Sequence, residues 1–454
     1  MSRIARNIVF FLALYLPLED FLLKWVPVPY EVYLAMRQIP DALVLVAAGI
    51  AVGARTFQTT RFRLIGRGAD VLLVLFVLSA YGSVLLQGGS VLEATLNLKA
   101  LLRYVLVVYT LVNVPMDRET ATTMFRVVYA SVLIQLVVSA IQLAGPIEVD
   151  SIFLPRIEEQ EVAGTQFKST AHKEVERGYI FGTMTNTISY GGFLLVGLGL
   201  YLTRFRRKDI PIRYWVVVGL ALFLSFMSGS RAVTIAVLLL TAAHQYMLGR
   251  LKRLTLIGLF LTPLIIPLSM VVSVGLTDTY FFEIFSQQYI DKAMEQRLGI
   301  ILLVLPYFVS SLDSLDILFG LSADRQILDQ VISDMFDVPL LLVQEIATIE
   351  DVYWAALLVY YGVVGFALLG GFFWVVLRRV QTIYRQAEDA TVKRVAQIAL
   401  LLFVVAIPLN FLGQFFEVRQ FSFYLWTFVG MGLSLVLHPP QKASPSGEVS
   451  AGTA

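Results

Sequence analysis

The sequence predicts an all-α, polytopic integral membrane protein, on three observations. Hydrophobic residues make up 57% of its 454 positions. Mean hydropathy is +0.76. Apolar runs of about 20 residues recur along the chain, the length a helix needs to cross a hydrocarbon core. Such runs read as helices, because in lipid every backbone amide must find its partner within the segment. The net charge of +2 sums over two sides of a membrane and is informative only once each side is read separately. Cysteine is absent, which excludes thiol catalysis and disulfides and leaves the redox compartment open.

In order, about twelve spans of this length are expected, starting near Ile8, Asp41, Asp70, Leu96, Thr122, Thr187, Tyr214, Ala232, Leu254, Asp351, Val395 and Phe421. The first run lacks a small-residue cleavage site and continues into Pro17, Glu19 and Asp20, so it reads as a retained helix. Residues 1–440 form one membrane domain, and 441–454, rich in Ser, Gly and Pro, read as a disordered tail.

The connections alternate in basicity. One set carries Arg3 and Arg6; Arg55, Arg61, Arg63 and Arg67; Arg118 and Arg126; Arg204, Arg206, Arg207, Lys208 and Arg213; Arg250, Lys252 and Arg253; and Arg378, Arg379, Arg385, Lys393 and Arg394. The positive-inside rule makes this set cytoplasmic, with both termini inside. The other side then holds two long loops, 144–185 and 276–350, and short turns near Gln87 and Gln414. The second loop contains the apolar stretch Leu298 to Val309 between charged residues, which predicts helices lying at the membrane surface as a partly helical periplasmic lid.

Cations on that outer side are disfavoured, so they attract interest. Arg231, in Phe226-Met227-Ser228-Gly229-Ser230-Arg231, stands between two apolar runs, where an arginine usually has a partner or a task. Lys99 and Arg103 share a helix face, with Arg103 about 10 Å below the outer end of its span. With Arg231 they predict a cationic pocket for a lipid-borne diphosphate, whose oxygens suit the guanidinium fork. Arg177, Arg297, Arg325 and Arg419 are further members of this set. Each has a structural alternative: Lys99 and Arg103 can snorkel or meet Glu93, Arg419 can pair with Glu417, and Arg325 with Asp324. Trp354, Tyr360 and Tyr361 suit either sugar stacking or the interfacial aromatic belt. A Walker-type loop, a His/acid metal cluster and a nucleic-acid-binding segment are all missing from the sequence.

Several segments resemble, in order, the superfamily of bacterial O-antigen ligases and O-antigen polymerases. They are Arg177-Gly178-Tyr179-Ile180-Phe181-Gly182; Ser228-Gly229-Ser230-Arg231; Gln296-Arg297-Leu298, followed by Leu318-Phe319-Gly320; and Glu350-Asp351-Val352-Tyr353-Trp354, followed by Tyr361-Gly362-Val363-Val364-Gly365. The resemblance implies a multi-pass glycosyltransferase of the bacterial inner membrane. Its donor would be an undecaprenyl-diphosphate-linked glycan, with no cofactor or metal, and a chain-length regulator is a candidate partner. The ligase branch has a functional histidine in the large loop near Glu350 and Asp351. This chain has His172, His244 and His438, and none between Leu276 and Asp351. The expectation is therefore a polymerase of O-antigen, capsule or exopolysaccharide repeat units. Asp351 or Glu350, or else Glu345, would be the acceptor-activating carboxylate, and Arg231 would complete the catalytic set. A ligase acting on a lipid A-core acceptor is the alternative, and a transporter or flippase the rival from another class. For Asp351 the structural alternative is a helix N-cap.

Overall fold

A computed structural model describes residues 2–59, 62–153, 160–162, 165–167, 178–184, 186–205, 210–253, 255, 257–258, 260, 314–321, 330, 333 and 352–438. The first helices are α1 (Ser2–Tyr15), α2 (Glu19–Lys24), α3 (Tyr30–Met36), α4 (Ile39–Thr59), α5 (Arg67–Gln87), α6 (Val91–Leu102), α7 (Val105–Asn113), α8 (Arg118–Ala144) and α9 (Ile147–Phe153). After a short antiparallel hairpin, β1 (Gln160–Val162) and β2 (Thr165–Phe167), come α10 (Thr187–Leu202), α11 (Ile212–Met227), α12 (Arg231–Met247), α13 (Ser314–Phe319), α14 (Tyr353–Gln386), α15 (Ala390–Leu409) and α16 (Arg419–Leu437).

Among the described residues, six segments are long and apolar enough to cross a membrane: Tyr30–Phe57, Arg67–Gln87, Arg118–Ala144, Tyr353–Gln386, Ala390–Leu409 and Arg419–Leu437. The fold is thus that of an α-helical membrane protein. The lipid-facing stripe is visible on α5, where Val71, Leu75, Leu78 and Leu85 recur at helical spacing and are exposed.

Local chemistry sets the helix boundaries. The side chain of Asp117 accepts from the Thr120 amide at 2.7 Å, that of Asn186 from Ser189 at 2.8 Å, and that of Asp389 from Thr391 at 2.7 Å, so α8, α10 and α15 each begin at an N-cap. The first apolar run yields only the 14-residue α1, because Pro17 cannot donate to a continuing helix. Its carbonyl instead accepts from Gln135 Nε2 at 3.0 Å. The span expected from Leu96 is divided: α6 ends at Leu102, and α7 begins at Val105 after Arg103 and Tyr104.

α16 is buried along nearly its whole length and packs on α7, α15 and α10, while α14 packs along α5. Between helices in lipid the attraction is van der Waals packing. Here it centres on Phe372, Phe373, Phe403, Phe416 and Trp426, with the Phe373 and Phe416 rings stacked at 4.6 Å.

Contacts between helix termini separate the two ends of the bundle. At one, Arg6 donates to Thr120 at 3.2 Å, Arg118 pairs with Asp389, and Arg63 donates to the Leu437 carbonyl at 2.6 Å. Arg394 donates to the Leu200 carbonyl at 3.0 Å. These belong to the basic set read from the sequence. α16 runs from this end to Arg419, and its 19 residues rise about 28 Å at 1.5 Å each, close to the thickness of a hydrocarbon core. The site lies at the Arg419 end.

Candidate functional site

Asp41, at the start of α4, is the hub of an ion cluster. Its Oδ2 lies 3.0 Å from Lys99 Nζ, 3.6 Å from Arg103 Nη1 and 4.0 Å from Arg419 Nη2. Arg419 Nη1 donates to both oxygens of Glu19, at 3.2 and 3.3 Å, and to the Arg37 carbonyl at 3.0 Å. Arg37 itself pairs with Asp20 at 3.2 Å. All three carboxylates are buried. The cluster therefore sets four cations against three acids. Glu19 lies in α2, outside the spanning segments, and burial pushes its carboxyl up to about 7 against the opposing pull of Arg419. That shift tilts the local balance further toward positive charge.

The described parts of the four sequence segments, 178–182, 228–231, 318–320 and 361–365, meet in two pairs. Ile180 donates its amide to the Met227 carbonyl at 3.2 Å. The Tyr179 ring covers Gly229, where an added Cβ would come within 2.5 Å of ring carbons and where φ is +66°. The turn Ser228-Gly229-Ser230 is thus clamped beneath the 178–184 segment, and Arg231 opens α12 directly after it. Thr183 in turn donates to the Pro17 carbonyl at 2.5 Å, which ties this corner to the α1–α2 turn that carries Glu19.

The second pair is a contact between two glycine backbones. Leu321 donates to the Val359 carbonyl at 2.9 Å. A Cβ on Gly320 would lie 2.4 Å from the Tyr360 carbonyl oxygen, and one on Gly362 would lie 2.4 Å from that of Leu318. Gly362 has φ +63°, a conformation open to glycine and strained for other residues, and it kinks α14 within an otherwise continuous helix. Ser83 and Gln87 of α5 hold the same strand of backbone, each donating to the Gly320 carbonyl, at 3.3 and 3.5 Å.

Beside this kink lies a half-open cavity of about 260 Å³. The polar groups in its wall come from Asn97 of α6, Tyr353, Tyr360 and Tyr361 of α14, and Gln414 and Glu417 of the turn before α16. Cavity and ion cluster adjoin, since Arg103 Nη2 donates to the Glu417 carbonyl at 3.0 Å.

Of the predicted residues, Lys99, Arg103 and Arg419 converge on one carboxylate, and Arg231 stands at the neighbouring corner of the same end. Arg419 is bonded to Glu19, not to Glu417 as sequence proximity suggests. Arg177, Arg297, Arg325, Glu345, Glu350 and Asp351 lie outside the described residues, as does the tail 441–454. Sequence reasoning missed the acids of the cluster, Asp41, Glu19 and Asp20, and also Asn97, Gln414 and Glu417. The available signal was that all three acids stand at ends of apolar runs, in the set of segments that also carries Lys99, Arg103 and Arg419.

The fold and the charge distribution define an α-helical membrane protein with a cation-rich site at one end of its bundle. No protein-family model matches this chain, and no curated protein matches it.

Proposed function

We propose that the protein is a membrane glycosyltransferase that polymerises lipid-diphosphate-linked oligosaccharide repeat units at the outer face of the bacterial inner membrane. In this reading the chain crosses about twelve times, with both termini cytoplasmic. The observation that carries it is the excess of cations around Asp41 at the end of the bundle opposite the arginine-rich one. A diphosphate whose lipid tail stays in the bilayer presents its charge at that depth. The order of the four sequence segments, and the meeting of their described parts in two pairs, adds support.

The chemistry follows from the charges. The acceptor hydroxyl attacks the anomeric carbon of the donor glycan, the bond from that carbon to the diphosphate oxygen breaks, and the diphosphate leaves with the electron pair. Arg103, Lys99, Arg419 and Arg231, joined by Arg177, Arg297 and Arg325, stabilise that departing charge. The acceptor's proton goes to a carboxylate, for which Asp351 and Glu350 are the candidates, directly before Val352 and the start of α14. The same chemistry would serve a ligase, so the product decides.

The test is a product gel. Purified protein in liposomes, fed lipid-linked repeat units from its own host, is expected to make a ladder spaced by one repeat, and Arg231→Ala at equal protein level to abolish it. An undiminished ladder from Arg231→Ala removes that residue from the site. A single transfer to added lipopolysaccharide core would make the protein a ligase, and inactivity with every acceptor would reject the enzyme reading.

A further inference from the structure

We infer that the cavity between α6, α14 and the 410–418 turn is a subsite for one sugar ring of the glycan, held by Glu417, Tyr353 and the flanking amides of Asn97 and Gln414. This inference rests on the glycosyltransferase reading. The first support is an orphan donor: Tyr353 is 2% exposed, lines the cavity, and its hydroxyl has no hydrogen-bond partner among the described residues. A buried hydroxyl left unpaired is unfavourable, and here the space in front of it is where a partner would sit. The buried hydroxyls of Tyr33 and Tyr104 are also without a hydrogen-bond partner among the described residues, but neither lines this cavity, while Tyr190 shares a hydrogen bond with Ser139 at 2.5 Å and Tyr214 accepts from Gln245 at 2.9 Å.

The second support is the chemistry of the wall. Two amides, a carboxylate and three phenols face a floor of Ala100, Leu101, Ala356 and Leu357. A pyranose has an apolar face for such a floor and a rim of hydroxyls that both donate and accept. A phosphate would be repelled by Glu417. A cation would meet Arg103, whose guanidinium is bonded to the carbonyl of that same residue at 3.0 Å. An acyl chain would leave the polar wall without partners. Size agrees as well, since about 260 Å³ falls just below the roughly 300–1,000 Å³ of pockets that enclose drug-sized ligands, so the space suits one ring and not an oligosaccharide.

The third support is position. Glu417 lines the cavity and gives its carbonyl to Arg103, so a ring bound here lies beside the cations assigned to the diphosphate. Sugar and leaving group would then occupy adjoining halves of one site.

The test uses the full-length protein in nanodiscs and a panel of methyl glycosides of glucose, galactose, mannose, rhamnose and N-acetylglucosamine, followed by saturation-transfer NMR. At least one glycoside should bind saturably. Glu417→Gln should weaken it about tenfold, and Ala100→Phe, which fills the floor, should abolish it. Tyr353→Phe provides a variant with little risk to folding and should weaken binding severalfold. Failure of every glycoside to bind wild type, or affinity unchanged in Glu417→Gln and Tyr353→Phe, overturns the subsite. A normal polymer ladder from Glu417→Gln and Ala100→Phe overturns it equally. Glycoside binding that responds to these substitutions in a protein that makes no ladder would leave the subsite standing and reject the polymerase reading.

Discussion

The ion cluster and the cavity adjoin at Glu417, whose carbonyl bonds Arg103, and differ in what stands against their buried polar groups. Around Asp41 each charge lies within 4.0 Å of an opposite one, and the acids come from α2 and α4 while the cations come from α6, α16 and the α3–α4 turn. The cluster thus joins the amino-terminal corner to the carboxy-terminal helix, nearly 400 residues away in sequence. Asp41 and Arg103 Nε also leave hydrogen bonds unmade, but with an opposite charge close by, whereas the buried Tyr353 hydroxyl in the cavity is neutral and has no hydrogen-bond partner among the described residues. The lesson is that density of charge and readiness for a ligand are separate properties. The cluster supplies field and rigidity, and the cavity supplies a neutral hydroxyl whose hydrogen bond is unmade.

If that division is right, the greatest stability loss comes from breaking the hub. Asp41→Ala leaves Lys99, Arg103 and Arg419 without their common carboxylate, and removing one partner of a buried ion pair typically costs about 3–5 kcal/mol. The expected result is a sharp fall in membrane yield and in the melting temperature of the purified protein. A melting temperature within a degree or two of wild type would mean the cluster is solvated and does not brace the bundle.

The next effect is one of pH. The Glu19 carboxyl is harder to ionise folded than unfolded, with its value raised from 4.5 to about 7 by burial and by the neighbouring Asp20, against the pull of Arg419 and Arg37. Stability contributed by its neutral form is therefore complete below about 4.5 and is lost as the pH rises through about 7, a change of at most about 3 kcal/mol. Wild-type melting temperature should fall over that window, and Glu19→Gln should flatten the slope. An unchanged slope would assign the pH dependence to other groups.

A smaller loss is expected at the glycine contact that shapes the cavity wall. Gly362→Ala forces a side chain into positive φ and against the Leu318 carbonyl, for which about 1–3 kcal/mol is the usual scale. The control is Gly49→Ala in α4, where nothing lies within 4 Å of the added carbon. There a gain of about 0.5–1 kcal/mol is expected, because the position is an ordinary helix interior. Equal melting temperatures for the two variants would show that the 314–321 segment does not press on α14.

These regions were unequally legible in the sequence. Charge sidedness was readable because lipid separates the basic and outer sets whatever the packing, so Arg63, Arg118 and Arg394 were assigned to one end and Lys99, Arg103 and Arg419 to the other from composition alone. The helical spacing of Lys99 and Arg103 gave their common face. It could not give Asp41, because periodicity specifies which way a side chain points and not what stands opposite. The kink at Gly362 was hidden for a related reason: glycine is frequent in spanning helices, and only the approach of Gly320, from a distant segment, makes this one bend. The break at Arg103 and Tyr104 is likewise tertiary, since it follows the bond from Arg103 to the Glu417 carbonyl. Of the cavity residues, Tyr360 and Tyr361 were marked in the sequence as candidate sugar-stacking aromatics, and the polar positions gave no signal that they would meet. Asn97, Gln414 and Glu417 are single polar positions in three different segments, and only the fold assembles them.

The smallest expected effect discriminates most finely between the two regions. Tyr353→Phe removes a buried hydroxyl that bonds nothing, so the apo protein should lose no stability and should gain up to about 1 kcal/mol, the lower end of what an unsatisfied buried polar group costs. Tyr190→Phe removes a hydroxyl of similar burial whose bond to Ser139 is made at 2.5 Å, and a loss of about 1 kcal/mol is expected there. Measured side by side in the same detergent, the two substitutions share their chemistry and differ only in whether the partner exists within the chain. A loss at Tyr353 as large as that at Tyr190 would mean its hydroxyl is already satisfied, and the argument for an incoming ligand would go with it. Opposite signs would show that the bundle keeps an unmade hydrogen bond at the cavity, the bond that a sugar hydroxyl would complete.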